Sequence, residues 1–178
     1  MSGHDRRAWG WYRLTDEWAA RLVEEAGIHP GDLVIDIGAG TGAITAQLLE
    51  HGAQVIAVEL HPDRASSLRR RFAGTSTTVI RVDAASLRLP RRPFRVVANP
   101  PYGISSAMFR RLLSPGSRLV AADLVLQRAM VRRYVDATAP AANRWMSTWE
   151  ARRGLLLPRK AFQPVPRVDS AVLVIRRR

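Results

Sequence analysis

The sequence predicts an α/β fold with a mostly parallel, seven-stranded sheet that is covered by helices on both faces. Short apolar runs alternate with stretches of helical spacing along most of the chain, and turn residues separate them. This alternation is typical of βαβ units, in which each helix returns the chain so that the next strand runs parallel to the last. The chain of 178 residues is long enough to bury a substantial core. No repeat, low-complexity segment or linker divides it, so a single domain over residues 1–178 is expected.

Each element follows from the local pattern. The first helix is expected from Trp18 to Ala26, ended by Gly27 and the Pro30-Gly31 turn. Later helices are expected at 43–51, 62–71 and 104–113, and strands at 33–37, 55–58, 77–82, 94–98, 118–126, 145–157 and 168–175. Residues 136–144 are expected to form a flexible loop.

Several classes of protein are disfavoured by composition. No apolar run approaches the roughly 18 residues that a membrane span needs, and the first seven residues lack the apolar stretch of a secretory signal. The absence of cysteine excludes disulfides and thiolate metal sites, and it is compatible with the cytoplasmic location that we expect. The four histidines are scattered without ligand spacing, so no metal is expected.

The chain is strongly basic. It has 28 basic and 15 acidic residues, a net charge of +13 and a pI near 11.6, and its only lysine is Lys160. The arginines occur in clumps at 69–71, 91–92, 110–111, 132–133, 152–153 and 176–178. Guanidinium groups bind phosphates bidentately and stack on bases, so a nucleic acid partner is predicted. An arginine-rich solvated surface is the alternative for any single clump.

Acidic and glycine-rich segments follow the first three strands, where open α/β sheets bind ligands. The first is Asp36-Ile-Gly-Ala-Gly-Thr-Gly42, which opens a helix and lets a ligand approach the backbone. Dinucleotide enzymes use a similar loop, but the Gly-x-Gly-x-x-Gly register is absent here. Glu59 ends the second strand, where an acid would hold ribose hydroxyls or simply begin a helix. Asp83 follows the third strand and suits an adenine amino group.

The fourth strand leads into Asn99-Pro100-Pro101-Tyr102. This segment places an amide, two rigid carbonyls and an aromatic ring together, and its prolines remove backbone donors. Such a set suits a planar nitrogen nucleophile, which needs acceptors for its N–H groups and a ring to stack on. A proline-rich turn at a strand end is the alternative.

The order of these motifs resembles that of class I S-adenosylmethionine-dependent methyltransferases, which have a Rossmann-like fold. The segment Phe162-Gln-Pro-Val-Pro-Arg-Val-Asp-Ser-Ala171 resembles the Phe-x-Pro-x-Pro-x-Val-x-Ser stretch of the ribosomal RNA adenine dimethylase family. Within that family, the opening Gly10–Trp18 and the Asn-Pro-Pro-Tyr form are most similar to the Erm group. The resemblance implies methylation of adenine N6 in 23S rRNA and resistance to macrolides, lincosamides and streptogramin B.

The resemblance also implies a set of cofactor contacts. Gly38 and Gly40 would face the methionine part of S-adenosyl-L-methionine, and Glu59 would bind its ribose. Asp83 and the backbone of Ala84 would bind its adenine.

Tyr12 and Leu14 fall where the family has a Gln-Asn-Phe-Leu segment near the cofactor. Because this chain has Trp-Tyr-Arg-Leu there, the case for a side-chain contact is weaker and a backbone contact remains.

The catalytic residues implied by the resemblance are Asn99, Pro100 and Tyr102, and Asn99 would also touch the cofactor. The Asn99 side-chain oxygen and the Pro100 carbonyl would accept the two N–H bonds of the adenine amino group. Tyr102 would stack on the base. The rate enhancement would then come from positioning and desolvation. An unstacked or single-stranded RNA segment would cost the least free energy to bring into the site.

The family usually continues into a small helical domain that helps to hold RNA, whereas this chain stops at Arg178. We therefore expect no C-terminal RNA-binding domain, and we expect the arginine clumps of the catalytic domain to hold the RNA. The charge disfavours self-association, so a monomer is expected. A protein side-chain methyltransferase and a non-catalytic RNA-binding or ribosome-assembly factor remain alternatives, with a DNA adenine enzyme as a weaker one.

Overall fold

A seven-stranded sheet forms the centre of the computed structural model, which describes residues 12–101, 105–136 and 147–178. Its strands are β2 (Leu33–Ile37), β3 (Gln54–Val58), β4 (Thr77–Ile80), β5 (Phe94–Ala98), β6 (Leu119–Gln127), β7 (Trp149–Leu157) and β9 (Ser170–Arg177). They lie in the order β4-β3-β2-β5-β6-β9-β7, and β9 alone runs in the direction opposite to the other six. The predicted fold class is confirmed.

Helices cover both faces of this sheet. They are α1 (Asp16–Ala26), α2 (Ala43–Glu50), α3 (Pro62–Arg71), α4 (Ser105–Leu112) and α5 (Arg128–Val135). The first three pack on one face, where α1 and α2 bury residues such as Leu22 and Leu48 against the strands. The other two pack on the opposite face through Phe109, Leu112 and Tyr134. Burial on both sides explains why β2 is apolar at nearly every position.

A second, two-stranded sheet joins distant parts of the chain. Strand β1 (Arg13–Leu14) pairs antiparallel with β8 (Phe162–Gln163), and Leu14 lies opposite Phe162. Both side chains are buried in the core beside α1. The Thr15 amide donates to the Ala161 carbonyl at 2.9 Å, which extends the attachment. The segment before α1 is therefore held by residues near position 162.

Most predicted bounds agree with the structure within one or two residues, and α3, β2 and β5 agree at both ends. Two differences in strand bounds are informative. The third predicted strand ends at Ile80 rather than Val82, because Asp83 begins a 3₁₀ turn over Ala84–Ser86. The strand predicted from Trp145 begins at Trp149, with residues 145–146 outside the described part.

Helix α5 and the β1–β8 pair were not expected from the sequence. Residues 137–144 of the expected loop lie outside the described residues. Among the helices that the structure describes, none is both long and apolar enough to cross a membrane.

The order of the strands fixes where a ligand would bind. From β2 the chain proceeds to β3 and β4 on one side, and then crosses to β5 on the other side of β2. Neighbouring loops after β2 and β5 therefore diverge at the carboxyl edge of the sheet, and such a switch point is the usual ligand crevice of an open α/β sheet. The glycine-rich loop follows β2, and the Asn-Pro-Pro segment follows β5.

Candidate active site

The glycine-rich loop and the Asn-Pro-Pro segment lie against each other. Gly38 has a φ of +75°, and a Cβ atom there would lie 2.9 Å from Pro101 Cδ and 3.5 Å from Pro100 Cα. The Asn99 carbonyl oxygen would be 3.7 Å away. Only glycine fits this position, because both the backbone angle and the close approach exclude a side chain. The two predicted halves of the site are thus brought together.

The amides of the glycine-rich loop are used within the protein. Gly38 and Ala39 both donate to the Val58 carbonyl, at 2.8 and 3.0 Å, and Gly40 donates to Glu59 Oε2 at 2.9 Å. These bonds fix the loop to the end of β3. What the loop presents to a ligand at positions 38 and 40 is therefore its carbonyl oxygens and bare Cα surface rather than its N–H groups.

Glu59 is 5% exposed and lies directly after β3. Besides the Gly40 bond, its Oε1 accepts from the His61 amide at 2.8 Å, and Arg64 Nε lies 3.5 Å from the same oxygen. A carboxylate has about four acceptor positions, so two backbone donors orient this side chain without using its full capacity. The orientation is set before any ligand binds.

Asp36 is a member of the site that the predicted set of site residues omitted. It is 1% exposed, and its Oδ2 accepts from Thr45 Oγ1 at 2.7 Å. Its Oδ1 is buried without a hydrogen-bond partner among the described residues. A small cavity between the loop and the Asn-Pro-Pro segment is lined by Arg13, Leu14, Asp36, Gly38, Ala39, Thr41, Ala43, Ile44 and Asn99. In the sequence, the signal for Asp36 is its place as the one acidic residue of the apolar run Leu-Val-Ile-Asp-Ile.

Burial raises the pKa of the Asp36 carboxyl to about 7, well above the ordinary value of an aspartate. Hydrogen bonds from Thr45 lower this pKa, and the nearby charge of Glu59 raises it. The group therefore changes charge near neutral pH. Because a buried carboxylate with an unpartnered oxygen is costly, a cationic or donor ligand beside it is favoured.

Asn99 is held by the segment before β1. Its Nδ2 donates to the Tyr12 backbone carbonyl at 2.8 Å. This bond uses the donor half of the amide, and it distinguishes the two ends of a side chain whose N and O atoms are otherwise similar. The half that remains for a ligand is the acceptor Oδ1. The contact from Tyr12 comes from its backbone, and Leu14, 2% exposed, anchors that backbone through β1.

Asp83 and Ala84 lie three and four residues beyond the end of β4, at the same carboxyl edge. Asp83 Oδ1 accepts from the Ala85 amide at 2.8 Å and so caps the 3₁₀ turn. Asp83 is exposed and Ala84 is half-buried. The side chain thus has a structural contact, with its second oxygen left for solvent or a ligand.

Of the other two predicted catalytic residues, Pro100 is buried next to Gly38, whereas Tyr102 lies outside the described residues. Within the described ranges, no cluster of three or more His, Asp or Glu side chains is arranged to hold a metal ion.

Comparison with known proteins then identifies the family. The family model for ribosomal RNA adenine dimethylase matches residues 14–178. The chain belongs to this family. It is 34% identical to a ribosomal RNA small subunit methyltransferase A of Thermosynechococcus vestitus, over 96% of this chain and 69% of that protein. It is 30% identical to an rRNA adenine N-6-methyltransferase of Corynebacterium diphtheriae, over 98% of this chain and 70% of that protein.

A solved structure agrees with this assignment. The crystal structure of the 23S rRNA methyltransferase ErmE superposes with a TM-score of 0.85 at 30% identity, covering 93% of this chain and 69% of the ErmE chain. The family member described here is an S-adenosylmethionine-dependent rRNA adenine N6-methyltransferase. These relatives lend no support to a protein methyltransferase or a non-catalytic factor.

The residues present fit the cofactor. S-adenosyl-L-methionine carries an ammonium group, ribose hydroxyls and an adenine amino group, and the site offers one carboxylate for each, namely Asp36, Glu59 and Asp83. Asp36 Oδ1 is an orphaned buried acceptor beside the cavity, and Glu59 is a pre-oriented carboxylate. The bare Gly38 leaves the backbone open for close approach.

Proposed function

We propose that this enzyme methylates N6 of an adenine in 23S rRNA and thereby confers resistance to macrolides, lincosamides and streptogramin B. The observation that carries the proposal is the likeness to the 23S rRNA methyltransferase ErmE, with a TM-score of 0.85 over 93% of this chain. The Asn99-Pro100-Pro101-Tyr102 form supports the same group. We further propose that the enzyme acts as a cytoplasmic monomer, because its net charge of +13 disfavours close contact between copies.

We assign the cofactor contacts by matching the groups of S-adenosyl-L-methionine to the polar groups that each residue offers. Asp36 pairs with the ammonium group, and the carbonyl oxygens at Gly38 and Gly40 lie along the methionine part. Glu59 accepts from the ribose hydroxyls, since its carboxylate is oriented by the Gly40 and His61 amides. Asp83, with the Ala84 backbone, accepts from the adenine amino group through the oxygen that the Ala85 cap leaves over.

When bound, S-adenosyl-L-methionine supplies an electrophilic methyl group on a sulfonium centre. The protein's task is to prepare the nucleophile. The lone pair of an adenine amino group is delocalised into the ring, which makes it weak. Asn99 Oδ1 and the Pro100 carbonyl accept its two N–H bonds and so localise the lone pair toward the methyl group. The Tyr12 carbonyl makes this possible by holding the Asn99 amide with its oxygen free.

Positioning supplies most of the rate in this scheme. Tyr102 stacks on the target base and fixes its angle. The acceptors are preorganised, since Pro100 and Pro101 have restricted φ angles and Gly38 packs against them. No strong base is required, because the proton is lost to solvent after the amine has been alkylated.

A second candidate substrate is 16S rRNA. The observation that favours it is the 34% identity to a ribosomal RNA small subunit methyltransferase A. The residues of the pocket do not distinguish the two substrates, because both reactions present the same adenine amino group.

Mass spectrometry of rRNA separates the two substrates. The gene is expressed in a macrolide-sensitive host, and methylated adenine is measured in purified 16S and 23S rRNA. An Asn99→Ala variant at the same expression level is the matched control. We expect new methylated adenine in 23S rRNA together with macrolide resistance, both absent in the control. New methylation confined to 16S rRNA, without resistance, would replace the first candidate with the second.

A further inference from the structure

A second basic surface lies at the edge of the sheet opposite the active site. Two adjoining grooves meet at Pro90 and Arg91, with volumes of about 870 and 550 Å³. One runs along the starts of β2, β3 and β4, and the other lies between the end of α4 and the start of β6. We call this continuous surface the amino-edge groove. Its arginines are Arg88, Arg91, Arg92, Arg110, Arg111 and Arg118.

The groove has an unusual charge composition. Six arginines line it, and no aspartate or glutamate is among the described lining residues. A groove along α5, at the end of β6, is different because Asp136 and Asp169 lie among its arginines. Arg159, which does not line that groove, has its Nε 3.8 Å from Asp169 Oδ1. The arginines of the amino-edge groove therefore have no carboxylate beside them among its described lining residues.

Two of the six arginines have structural roles. Arg92 Nη2 donates to Gln54 Oε1 at 2.7 Å, and Arg111 Nη2 donates to the Leu87 carbonyl. These bonds hold the loop between the grooves. The side chains of Arg88, Arg91, Arg110 and Arg118 are exposed, so they are the ones that face a ligand.

The other lining groups favour a nucleic acid backbone over a protein. Ser76 and Thr78 are exposed and offer hydroxyl groups on one side, whereas on the other side Ser114 Oγ donates to the Arg111 carbonyl and Ser117 is buried. The described lining includes no aromatic side chain or methionine, the groups that anchor protein interfaces. Arginine guanidinium groups and side-chain hydroxyls are common hydrogen-bond donors to phosphate oxygens.

We propose that the amino-edge groove binds backbone phosphates of the same rRNA at a point remote from the target adenine. It lies at the far end of the strands, which at about 3.3 Å per residue puts the two edges roughly 16 Å apart across a five-residue strand. A folded rRNA is large enough to contact both edges at once, and a hairpin trimmed to a few base pairs offers less backbone to the far edge. The inference rests on an rRNA substrate, but it holds for 16S and 23S rRNA alike.

The test compares two variants that lose the same charge. The groove variant carries Arg91→Gln, Arg110→Gln and Arg118→Gln. The control variant carries Arg21→Gln, Arg69→Gln and Arg70→Gln, three exposed arginines on α1 and α3 that line neither groove. The first assay measures binding to deproteinised total rRNA at several KCl concentrations, from low to moderate. The second assay measures methyl transfer to a short hairpin that contains the target adenine.

Each lost phosphate contact reduces the slope of log K against log salt by about 0.9 for a duplex. We expect the groove variant to lose about 2 to 3 from this slope and its KM for rRNA to rise at least tenfold. Its turnover of the hairpin should stay within about twofold of wild type. The salt slope of the control variant should fall by less than about 1. Equal slopes for the two variants would overturn the proposal.

Two further measurements complete the design. Cross-linking of the wild-type enzyme to rRNA should give nucleotide adducts on residues 88–92 or 110–118, and adducts confined to the carboxyl edge would count against the groove even if the variant misfolds. A groove variant that binds naked rRNA normally but loses affinity for ribosomal subunits would show that the groove binds a ribosomal protein instead. The rRNA that becomes methylated in the same assay reports separately on the proposed 23S substrate.

Discussion

The Asn99 side chain donates a hydrogen bond from Nδ2 to the Tyr12 backbone carbonyl, at 2.8 Å. The two residues are far apart in the chain, and the bond determines which end of the amide meets a substrate. An Asn99→Ala variant loses the acceptor, and Asn99→Asp places a carboxylate oxygen against the Tyr12 carbonyl. We expect both variants to fold and to lose about 10²- to 10³-fold in turnover, the cost of removing one preorganised polar group. Single-turnover methyl transfer measures the loss of activity, and circular dichroism checks that both variants fold. Near-wild-type turnover in either variant would contradict the role assigned to Asn99.

Gly38→Ala should impair both stability and activity. Its φ of +75° strains any other residue, and its Cβ would lie 2.9 Å from Pro101 Cδ. Gly74 offers a matched control, since it has the same φ of +75° and a Cβ atom added there would have nothing within 4 Å. We expect Gly74→Ala to lose about 1 kcal/mol of stability with normal turnover.

Gly38→Ala should lose more stability than the Gly74 control, and methyl transfer should fall by at least tenfold because the Pro100-Pro101 segment is displaced. Urea unfolding and initial rates compare the two variants. Equal behaviour of both would mean that the contact with Pro101 has no part in the site.

The buried Asp36 carboxyl should make stability depend on pH. Its pKa is raised to about 7 in the folded protein and is about 3.9 in an unfolded chain. The folded state therefore binds the proton more tightly, so the free energy of unfolding falls as pH rises from about 4 to about 7. The loss is on the order of 4 kcal/mol for a shift of this size. Asp36→Asn keeps an acceptor for Thr45 and should remove this part of the pH dependence, as measured by urea unfolding across that range.

The same group should make cofactor affinity depend on pH. Wild-type affinity for S-adenosyl-L-methionine should rise as Asp36 ionises near pH 7, and the Asp36→Asn variant should bind more weakly with a flatter profile. A Thr45→Val control removes a hydrogen bond that lowers the pKa, so its rise in affinity should move to higher pH. Calorimetric titrations between pH 6 and 8 decide this, and an unchanged profile in Asp36→Asn would exclude the ammonium pairing.

Tyr102 is expected to act through its ring. We expect Tyr102→Phe to keep most of the activity and Tyr102→Ala to lose about tenfold to a hundredfold, the usual cost of removing a ring on which a base stacks. Fluorescence of 2-aminopurine at the target position reports the stacking directly. A Tyr102→Ala variant with normal turnover and normal quenching would contradict the role.

The central strands were predictable because burial on both faces makes a strand apolar along its length, as in β2 and β5. Helix α5 was not, because its sequence Arg-Ala-Met-Val-Arg-Arg-Tyr-Val contains three arginines and buries only Val131 and Tyr134. The β1–β8 pair has two residues on each side, too few for a periodic pattern. Such elements form because of contacts that exist only in the folded chain.

Some features of the site could likewise be predicted from the sequence, and others could not. Side chains at strand ends, such as Glu59 and Asp83, could be located from the sequence because the fold class places strand ends together. The Tyr12 contact is made by a backbone carbonyl, which every residue possesses, so the residue type indicates nothing. The hydrogen bonds that the Gly38 and Gly40 amides donate to Val58 and Glu59 could not be predicted for the same reason, because every residue except proline has a backbone amide.

The pairing of Arg13–Leu14 with Phe162–Gln163 has a consequence for the timing of activity during synthesis. The Tyr12 carbonyl is positioned by this pairing, and it orients Asn99. A nascent chain carries the cofactor loops and the Asn-Pro-Pro segment long before position 162 has been translated. Until then β1 lacks a partner, so we expect the Tyr12 carbonyl to orient Asn99 only after residues 162 and 163 have been translated.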